Sequence, residues 1–152
     1  MIMLDLSKNW KNVIDALPSG VMVIDTGGAI QHVNPALEGL TGYLGDELIG
    51  NPCTMLGCSG CDPWYGQGGS WCMLFGSGKA TKPIPCRIDS KWGHPLKVVK
   101  QASIFRDSKG VPAGAVETFW DMAKLRASGS HGRPVEILTE ILKKVPYDQP
   151  PV

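Results

Sequence analysis

Residues 20–43 read GVMVIDTGGAIQHVNPALEGLTGY, which is two short β-branched runs followed by a helix start. Thr26-Gly27-Gly28 separates the runs and tolerates positive φ, so the pattern predicts a β-hairpin. A helix is expected to begin at Asn34-Pro35, because Asn caps free backbone N–H groups and Pro presets φ at the first helical position. Gly42 is the expected C-cap of that helix.

The segments on either side of this stretch complete an α+β pattern. Residues 2–17 carry apolar side chains at helical spacing and predict an amphipathic helix that ends at Pro18-Ser19-Gly20. Three further β segments with turns between them are expected at residues 83–91, 96–106 and 111–120. Two strands, short helices and then three strands predict helices on one face of a five-stranded antiparallel sheet.

Composition and charge limit the classes of function. The chain has 152 residues, of which 43% are hydrophobic and 19% charged, as expected for a globular domain. Its net charge is +1 and no basic stripe is interleaved with aromatic residues, so we expect no nucleic-acid contact by this segment. No apolar run approaches the ~20 residues that span a bilayer. Residues 1–10 lack the order of a signal peptide, and the expected location is cytoplasmic without membrane contact.

The order of segments resembles the PAS fold of sensory domains. Residues 20–43 resemble the first PAS hairpin and its following helix, and RDSKGVPAGAVETFWDM at 106–122 resembles the last hairpin. Asp121-Met122 stands where the family carries an Asp-Ile-Thr string, with Ala123 replacing the Thr. The resemblance implies an N-terminal helix at 1–18 and a PAS domain at 19–122 that receives a signal and passes it on.

The remaining residues, 123–152, have a different character. Residues 127–132 (ASGSHG) are typical of a linker, and HGRPVEILTEILKKVPYDQPPV at 131–152 is similar to the lead-in of the AAA+ ATPase domain in sigma-54-dependent transcriptional activators. That similarity implies a parent regulator with an ATPase domain contacting sigma-54 RNA polymerase and a DNA-binding domain. No G-x-x-x-x-G-K-[ST] motif occurs, so no ATP site of that kind is expected in this segment. A histidine kinase is the alternative output.

Five cysteines concentrate around an irregular insertion, residues 51–82, which is long for a structureless loop. They are Cys53, Cys58, Cys61, Cys72 and, on the next predicted strand, Cys86. A C-x-x-C pair such as Cys58–Cys61 can place two thiolates on one metal, and flanking cysteines then close a tetrahedron. The C-x4-C-x2-C spacing also matches a plant-type 2Fe–2S cluster. Either Cys72 or Cys86 is expected to be the fourth ligand.

Several interpretations of these cysteines stay open. They are a structural zinc that staples the insertion, an iron–sulfur cluster that reports redox state, a thiol–disulfide switch at Cys58 and Cys61, and buried thiols without metal. A metal or cluster is favoured, because the insertion holds few aliphatic residues to form a core of its own. A dimerisation module with a passive zinc is the contrasting function. A homodimer is expected through the helix face with Leu6, Trp10 and Val13.

His32, Tyr43 and Phe119 are the predicted lining of a small-molecule cavity between sheet and helices. For His32, a hydrogen-bonded core or surface role is favoured over a place in the cavity. Glu117 and Asp121 form a carboxylate pair on one face of a strand, yet nothing nearby in the sequence completes an acid–base site. No Ser-His-Asp or Cys-His arrangement is evident, so the sequence predicts a sensor and not an enzyme.

Overall fold

The computed structural model describes residues 5–59 and 82–127 of the chain. The helices are α1 (Leu6–Asp15), α2 (Pro35–Thr41), α3 (Gly45–Leu48), a short 3-10 helix (Cys53–Leu56) and α4 (Met122–Ala127). The strands are β1 (Gly20–Asp25), β2 (Ile30–Val33), β3 (Ile84–Asp89), β4 (Pro95–Arg106) and β5 (Pro112–Asp121). None of the described helices is long and apolar enough to cross a bilayer.

The strands form one antiparallel sheet in the order β2-β1-β5-β4-β3. This confirms the predicted five-stranded α+β fold, with strand ends within about two residues of those expected. The central strand is β5, which follows β4 in a hairpin and also pairs with β1 over the whole length of β1. The first and last strands in sequence order therefore meet at the middle of the sheet.

One face of the sheet carries the main apolar core. It combines side chains of every strand with Leu37 of α2, Leu48 of α3 and Leu56 of the 3-10 helix. The strand contributions are Met22, Ile24, Ile30, Val33, Cys86, Ile88, Val98, Ala102, Ala115 and Phe119. We call this the inner face of the sheet. The helices that follow β2 cover it, as the α+β prediction requires.

Asn34 joins the first hairpin to α2 and confirms the predicted helix start. Its side-chain oxygen accepts the backbone N–H groups of Leu37 (3.0 Å) and Val21 (2.8 Å). Its amide nitrogen donates to the backbone carbonyls of Ser19 (2.9 Å) and Ile14 (3.1 Å). A single, fully buried side chain thus caps α2 and holds the end of α1 against the sheet. Helix α2 ends at the predicted glycine, which has φ +80°.

Helix α1 is the least enclosed element. It begins after Asp5, whose carboxylate accepts the Ser7 N–H, and it buries none of its residues completely. Leu6, Trp10 and Val13 all remain substantially exposed. The predicted amphipathic helix is therefore present, although it is shorter than residues 2–17.

Candidate functional site: two thiols and a buried ion pair

Two charged residues interrupt the apolar inner face of the sheet. Lys100 lies between Val98 and Ala102 on β4, and Glu117 lies between Ala115 and Phe119 on β5. Because side chains alternate along a strand, both point to the same face as these core neighbours. Lys100 Nζ is 2.7 Å from Glu117 Oε1, and the two residues are only 7% and 6% exposed. The core thus encloses a complete ion pair.

Two cysteines lie against this ion pair. Cys86 on β3 is 1% exposed, and its Sγ is 3.3 Å from the Sγ of Cys58. The Lys100 ammonium in turn donates towards Cys58 Sγ over 3.7 Å. The contacts therefore connect four side chains in the order Cys86, Cys58, Lys100 and Glu117.

The local sequence explains why Cys58 reaches a residue 28 positions away. Leu56 ends the 3-10 helix and is buried in the core, and Gly57 then turns the chain with φ +61°. Ser59 bonds the backbone of β3 at Arg87 in both directions: its N–H donates to the Arg87 carbonyl (2.9 Å), and its hydroxyl accepts the Arg87 N–H (2.8 Å). Since Cys86 precedes Arg87, these bonds fix Cys58 beside Cys86.

The chemistry of the group follows from its burial. A buried charge is costly unless it is paired, and Glu117 supplies a close counter-ion for Lys100. A cation beside a sulfur favours the thiolate, which is the form that binds metals and reacts with oxidants. Cys58 is the cysteine beside the cation, and it is only partly buried. The arrangement can therefore bind a thiophilic metal or carry out thiol redox chemistry.

The structure brings together two of the three predicted cysteine ligands that it describes. Cys58 and Cys86 come together, whereas Cys53 lies in the 3-10 helix and packs against the core. Cys61 and Cys72 lie outside the described residues. Among residues 5–59 and 82–127, no group of three or more His, Cys, Asp or Glu side chains is arranged to hold a metal ion.

The described thiols nevertheless fit half of a thiolate metal site. Two sulfurs on one tetrahedral zinc, each about 2.3 Å from the metal, lie about 3.8 Å apart. The 3.3 Å between the sulfurs of Cys58 and Cys86 is within about half an ångström of that spacing. Any further ligand would have to come from elsewhere in the chain or from another molecule.

The three predicted cavity residues separate in the structure. Phe119 is buried and lines a pocket of about 340 Å³ between the α1–β1 turn, α2, the end of β5 and α4. Tyr43 is partly buried and packs against the core without lining this pocket. The remaining lining is Pro18, Ser19, Gly20, Ala36, Leu40, Trp120, Asp121, Lys124 and Leu125.

His32 does not line this pocket, and its ring is hydrogen-bonded elsewhere. Its ring lies on the other side of the sheet, where Nε2 is 2.8 Å from Asp15 Oδ1 and the Trp10 ring packs edge-on at 5.4 Å. The reason is a bulge in the first hairpin. Ile30 pairs with Ile24 but His32 pairs with Val23, so Gln31 is an extra residue in β2. It turns His32 away from the face that Ile30 occupies.

The two carboxylates on β5 have different partners. Glu117 pairs with Lys100, whereas Asp121 accepts the Ala123 N–H (2.9 Å) at the start of α4. Asp121 thus caps the exit helix although the Thr of the family's string is absent. The sequence interpretation overlooked Lys100 and Ser59. The burial of Lys100 could have been predicted from the alternation along β4. Lys100 is an even number of residues from the apolar Val98, Ala102 and Ile104, so its side chain points to the same face of the sheet.

Comparisons with known proteins agree with this architecture. Residues 8–56 match the family model of the PAS fold. No curated protein matches the chain.

Solved structures extend the likeness over most of the chain. The PAS domain of a protein from Colwellia psychrerythraea is 21% identical with a TM-score of 0.59, and the match covers 79% of this chain and 99% of that one. An RNA-binding light-oxygen-voltage receptor is 20% identical with a TM-score of 0.60, covering 84% and 39%. A PAS domain from a two-component sensor histidine kinase is 13% identical with a TM-score of 0.57, covering 76% and 95%. Residues 5–59 and 82–127 therefore form a domain with the PAS fold.

Proposed function

We propose that this domain is a redox sensor that detects its signal through a cysteine-ligated iron–sulfur cluster or metal at the inner face of the sheet, and that it is not an enzyme. The observation that carries the proposal is the convergence of the Cys58 and Cys86 sulfurs, 3.3 Å apart, beside the buried Lys100–Glu117 pair. PAS domains generally receive signals, so a reactive group inside this fold has a natural role as the detector.

Energetics support a role other than stability for this group. Replacing a buried ion pair by well-packed apolar residues is often neutral or stabilising, because the desolvation of two charges offsets their attraction. The core around Lys100 and Glu117 is apolar, and it would accept such residues. Charges at this place are therefore better explained by what they do to the neighbouring sulfurs.

Cys58 and Cys86 are the described residues that would hold the metal or cluster. Cys53, Cys61 and Cys72 are the proposed sources of the remaining ligands. An iron–sulfur cluster would supply a redox-active centre, whereas zinc would act as a staple for the insertion at 51–82. In the second case the domain would be a dimerisation or interaction module.

Metal analysis tests this proposal. The chain is purified without oxygen, and iron, zinc and acid-labile sulfide are measured with a visible spectrum. We expect a stoichiometric metal content in the wild-type chain and its loss in Cys58→Ser and Cys86→Ser. Iron with sulfide supports redox sensing, and zinc alone supports the staple. A wild-type chain without metal, with all five thiols titratable, overturns the metal-site proposal.

The signal has a short route out of the domain. Glu117 lies on β5, and β5 leads directly into α4 through Asp121. The pocket of about 340 Å³ beside α4 is the proposed place for a small-molecule ligand that acts on the same exit. The exposed face of α1 with Leu6, Trp10 and Val13 is the proposed homodimer contact in a cytoplasmic protein.

For the output we propose a sigma-54-dependent transcriptional regulator, supported by the similarity of residues 131–152 to the lead-in of the activator ATPase. A histidine kinase is the alternative, favoured by the PAS domain of a sensor histidine kinase among the similar structures. The sequence of the gene beyond Val152 decides between them. A G-x-x-x-x-G-K-[ST] motif within about a dozen residues is expected for the activator, and its absence would remove that assignment.

A further inference from the structure

The spacing of Cys58 and Cys86 suits a direct bond between the two sulfurs. A disulfide bond is about 2.05 Å long. The sulfurs are already 3.3 Å apart, so an approach of only about 1.3 Å separates them from bonding distance. The residues are 28 positions apart in sequence, and the contact depends on the two Ser59–Arg87 bonds. The juxtaposition is thus a product of the fold.

The two thiols differ in access and in charge environment. Cys58 is partly buried and lies beside the Lys100 ammonium, whereas Cys86 is almost fully buried. A small oxidant would therefore meet Cys58 first. This division matches the usual pairing of an accessible, cation-assisted thiolate with a resolving cysteine.

We propose that Cys58 and Cys86 form a reversible disulfide when the metal-free chain meets a hydroperoxide, with Cys58 as the attacking thiol and Cys86 as the resolving thiol. Ser59 is the positioning residue, because its two bonds to Arg87 hold the segment with Cys58 against β3. The inference rests on the proposed redox role but not on a bound metal. It assigns the switch to a pair different from the C-x-x-C pair at 58–61.

The chemistry needs only the oxidant. The Cys58 thiolate attacks one oxygen of the hydroperoxide, the O–O bond breaks, and the leaving oxygen takes the proton that Cys58 gave up. The product is a sulfenic acid on Cys58. Cys86 then attacks the Cys58 sulfur, the S–O bond breaks, and water leaves with the Cys86 proton. Two thiols lose two electrons while hydrogen peroxide becomes two waters, and two equivalents of a small thiol reverse the bond.

Tryptic mapping isolates this bond. No Lys or Arg lies between residues 12 and 78, so Cys53, Cys58, Cys61 and Cys72 share the peptide 12–79. Cys86 falls on the peptide 80–87, because trypsin does not cut the Lys82–Pro83 bond. A cross-link between these two peptides therefore reports a disulfide of Cys86, because a Cys58–Cys61 disulfide would lie within the peptide 12–79 and cannot produce it.

The experiment treats the chelator-washed full chain with hydrogen peroxide, blocks free thiols and digests it with trypsin. We expect the cross-link in the wild-type chain and in the matched controls Cys53→Ser, Cys61→Ser and Cys72→Ser. We expect its loss in Cys58→Ser and Cys58→Ala, with circular dichroism verifying that both remain folded. A cross-link that persists in the Cys58 variants, or a wild-type chain oxidised only within 12–79, overturns the inference.

The rate of cross-link formation tests the roles of Lys100, Glu117 and Ser59. Removing both charges with Lys100→Met/Glu117→Met should slow cross-linking about tenfold, because the thiolate loses its cation, whereas Lys100→Arg should keep most of the rate. Ser59→Ala should slow it while leaving the reaction of Cys58 with an alkylating reagent unchanged. Equal rates in all these variants would contradict the roles of Lys100 and Ser59. Absence of metal leaves the cross-link expectation intact, and absence of the cross-link leaves the metal proposal intact, so the two failures are distinguishable.

Discussion

Asn34 and the Lys100–Glu117 pair are both buried polar groups, but they are bonded differently. The polar atoms of Asn34 contact backbone N–H and carbonyl groups in α1, β1, α2 and the turn before β1. The contacts of Lys100 with Glu117 and with Cys58 instead join side chains to one another. Asn34 thus forms hydrogen bonds with backbone groups that are present whatever the side chains are, and that need a partner in any sequence with this fold.

The two kinds of partner, backbone and side chain, indicate two different roles for buried polar residues. Backbone groups cannot be removed by mutation, so the residue that serves them is needed for folding. Side-chain partners can be replaced together by apolar residues, so their retention suggests another requirement. The comparison predicts that Asn34 variants damage the fold, whereas complete replacement of the ion pair damages sensing and spares the fold.

The largest effect is expected for Asn34→Ala. The change leaves the Val21 N–H without its partner, removes the cap of α2 and frees the end of α1. We expect the free energy of unfolding to fall by about 4 kcal/mol, measured by urea denaturation. Asn51→Ala is the matched control, because the exposed Asn51 donates one bond to the Glu47 carbonyl. Similar losses in the two variants would contradict the special place of Asn34.

The ion pair provides the next test. Lys100→Met alone leaves Glu117 buried without its cation and should cost about 3 kcal/mol. Lys100→Met/Glu117→Met removes both charges and should lie within about 1 kcal/mol of the wild-type chain. Urea denaturation of the two variants measures both values. A double variant as unstable as the single one would show that the pair is needed for folding, and the comparison with Asn34 would fail.

The smallest effect is expected at an exposed ion pair. The Lys91 ammonium, helped by the Leu44 N–H, holds the pKa of Glu47 below the usual value for a glutamate. Because the folded pKa is lowered, this contribution to stability is present above about pH 4.5 and is lost as the pH falls through the folded pKa. Lys91→Met should therefore lower the urea midpoint slightly at neutral pH and not at pH 3. Lys109→Met, on an exposed turn, should show no such pH dependence.

The fold could be predicted from the sequence because its signals are local. Asn34-Pro35 and Gly42 mark the two ends of α2, and the structure confirms both. The strand ends moved by at most about two residues, which is the usual uncertainty of element boundaries. Asp121 explains how the exit helix is capped without the family's Thr.

The arrangement of the candidate site could not be predicted in the same way, because its contacts join residues that are far apart in the sequence. The contact between Cys58 and Cys86 depends on Ser59 finding Arg87, which no spacing rule reveals. The pairing of Lys100 with Glu117 requires the register between β4 and β5. His32 shows another limit: a bulge in the first hairpin turns its side chain away from the inner face, and the sequence does not reveal that bulge. The metal-ligand roles of all five cysteines stay predictions.

Strand β5 ends at Asp121 and α4 begins at Met122, so no loop separates the sheet from the exit helix. Glu117 lies four residues before the strand end, a distance of about 13 Å along an extended chain. From Glu117 to Phe119 the strand pairs with both β1 and β4, and Trp120 and Asp121 still pair with β4, so this part of β5 is stiff. A small displacement of the Glu117 end therefore moves the base of α4 by a comparable amount. If the domain signals as proposed, its input lies in the core at Glu117 and its output is the first turn of α4.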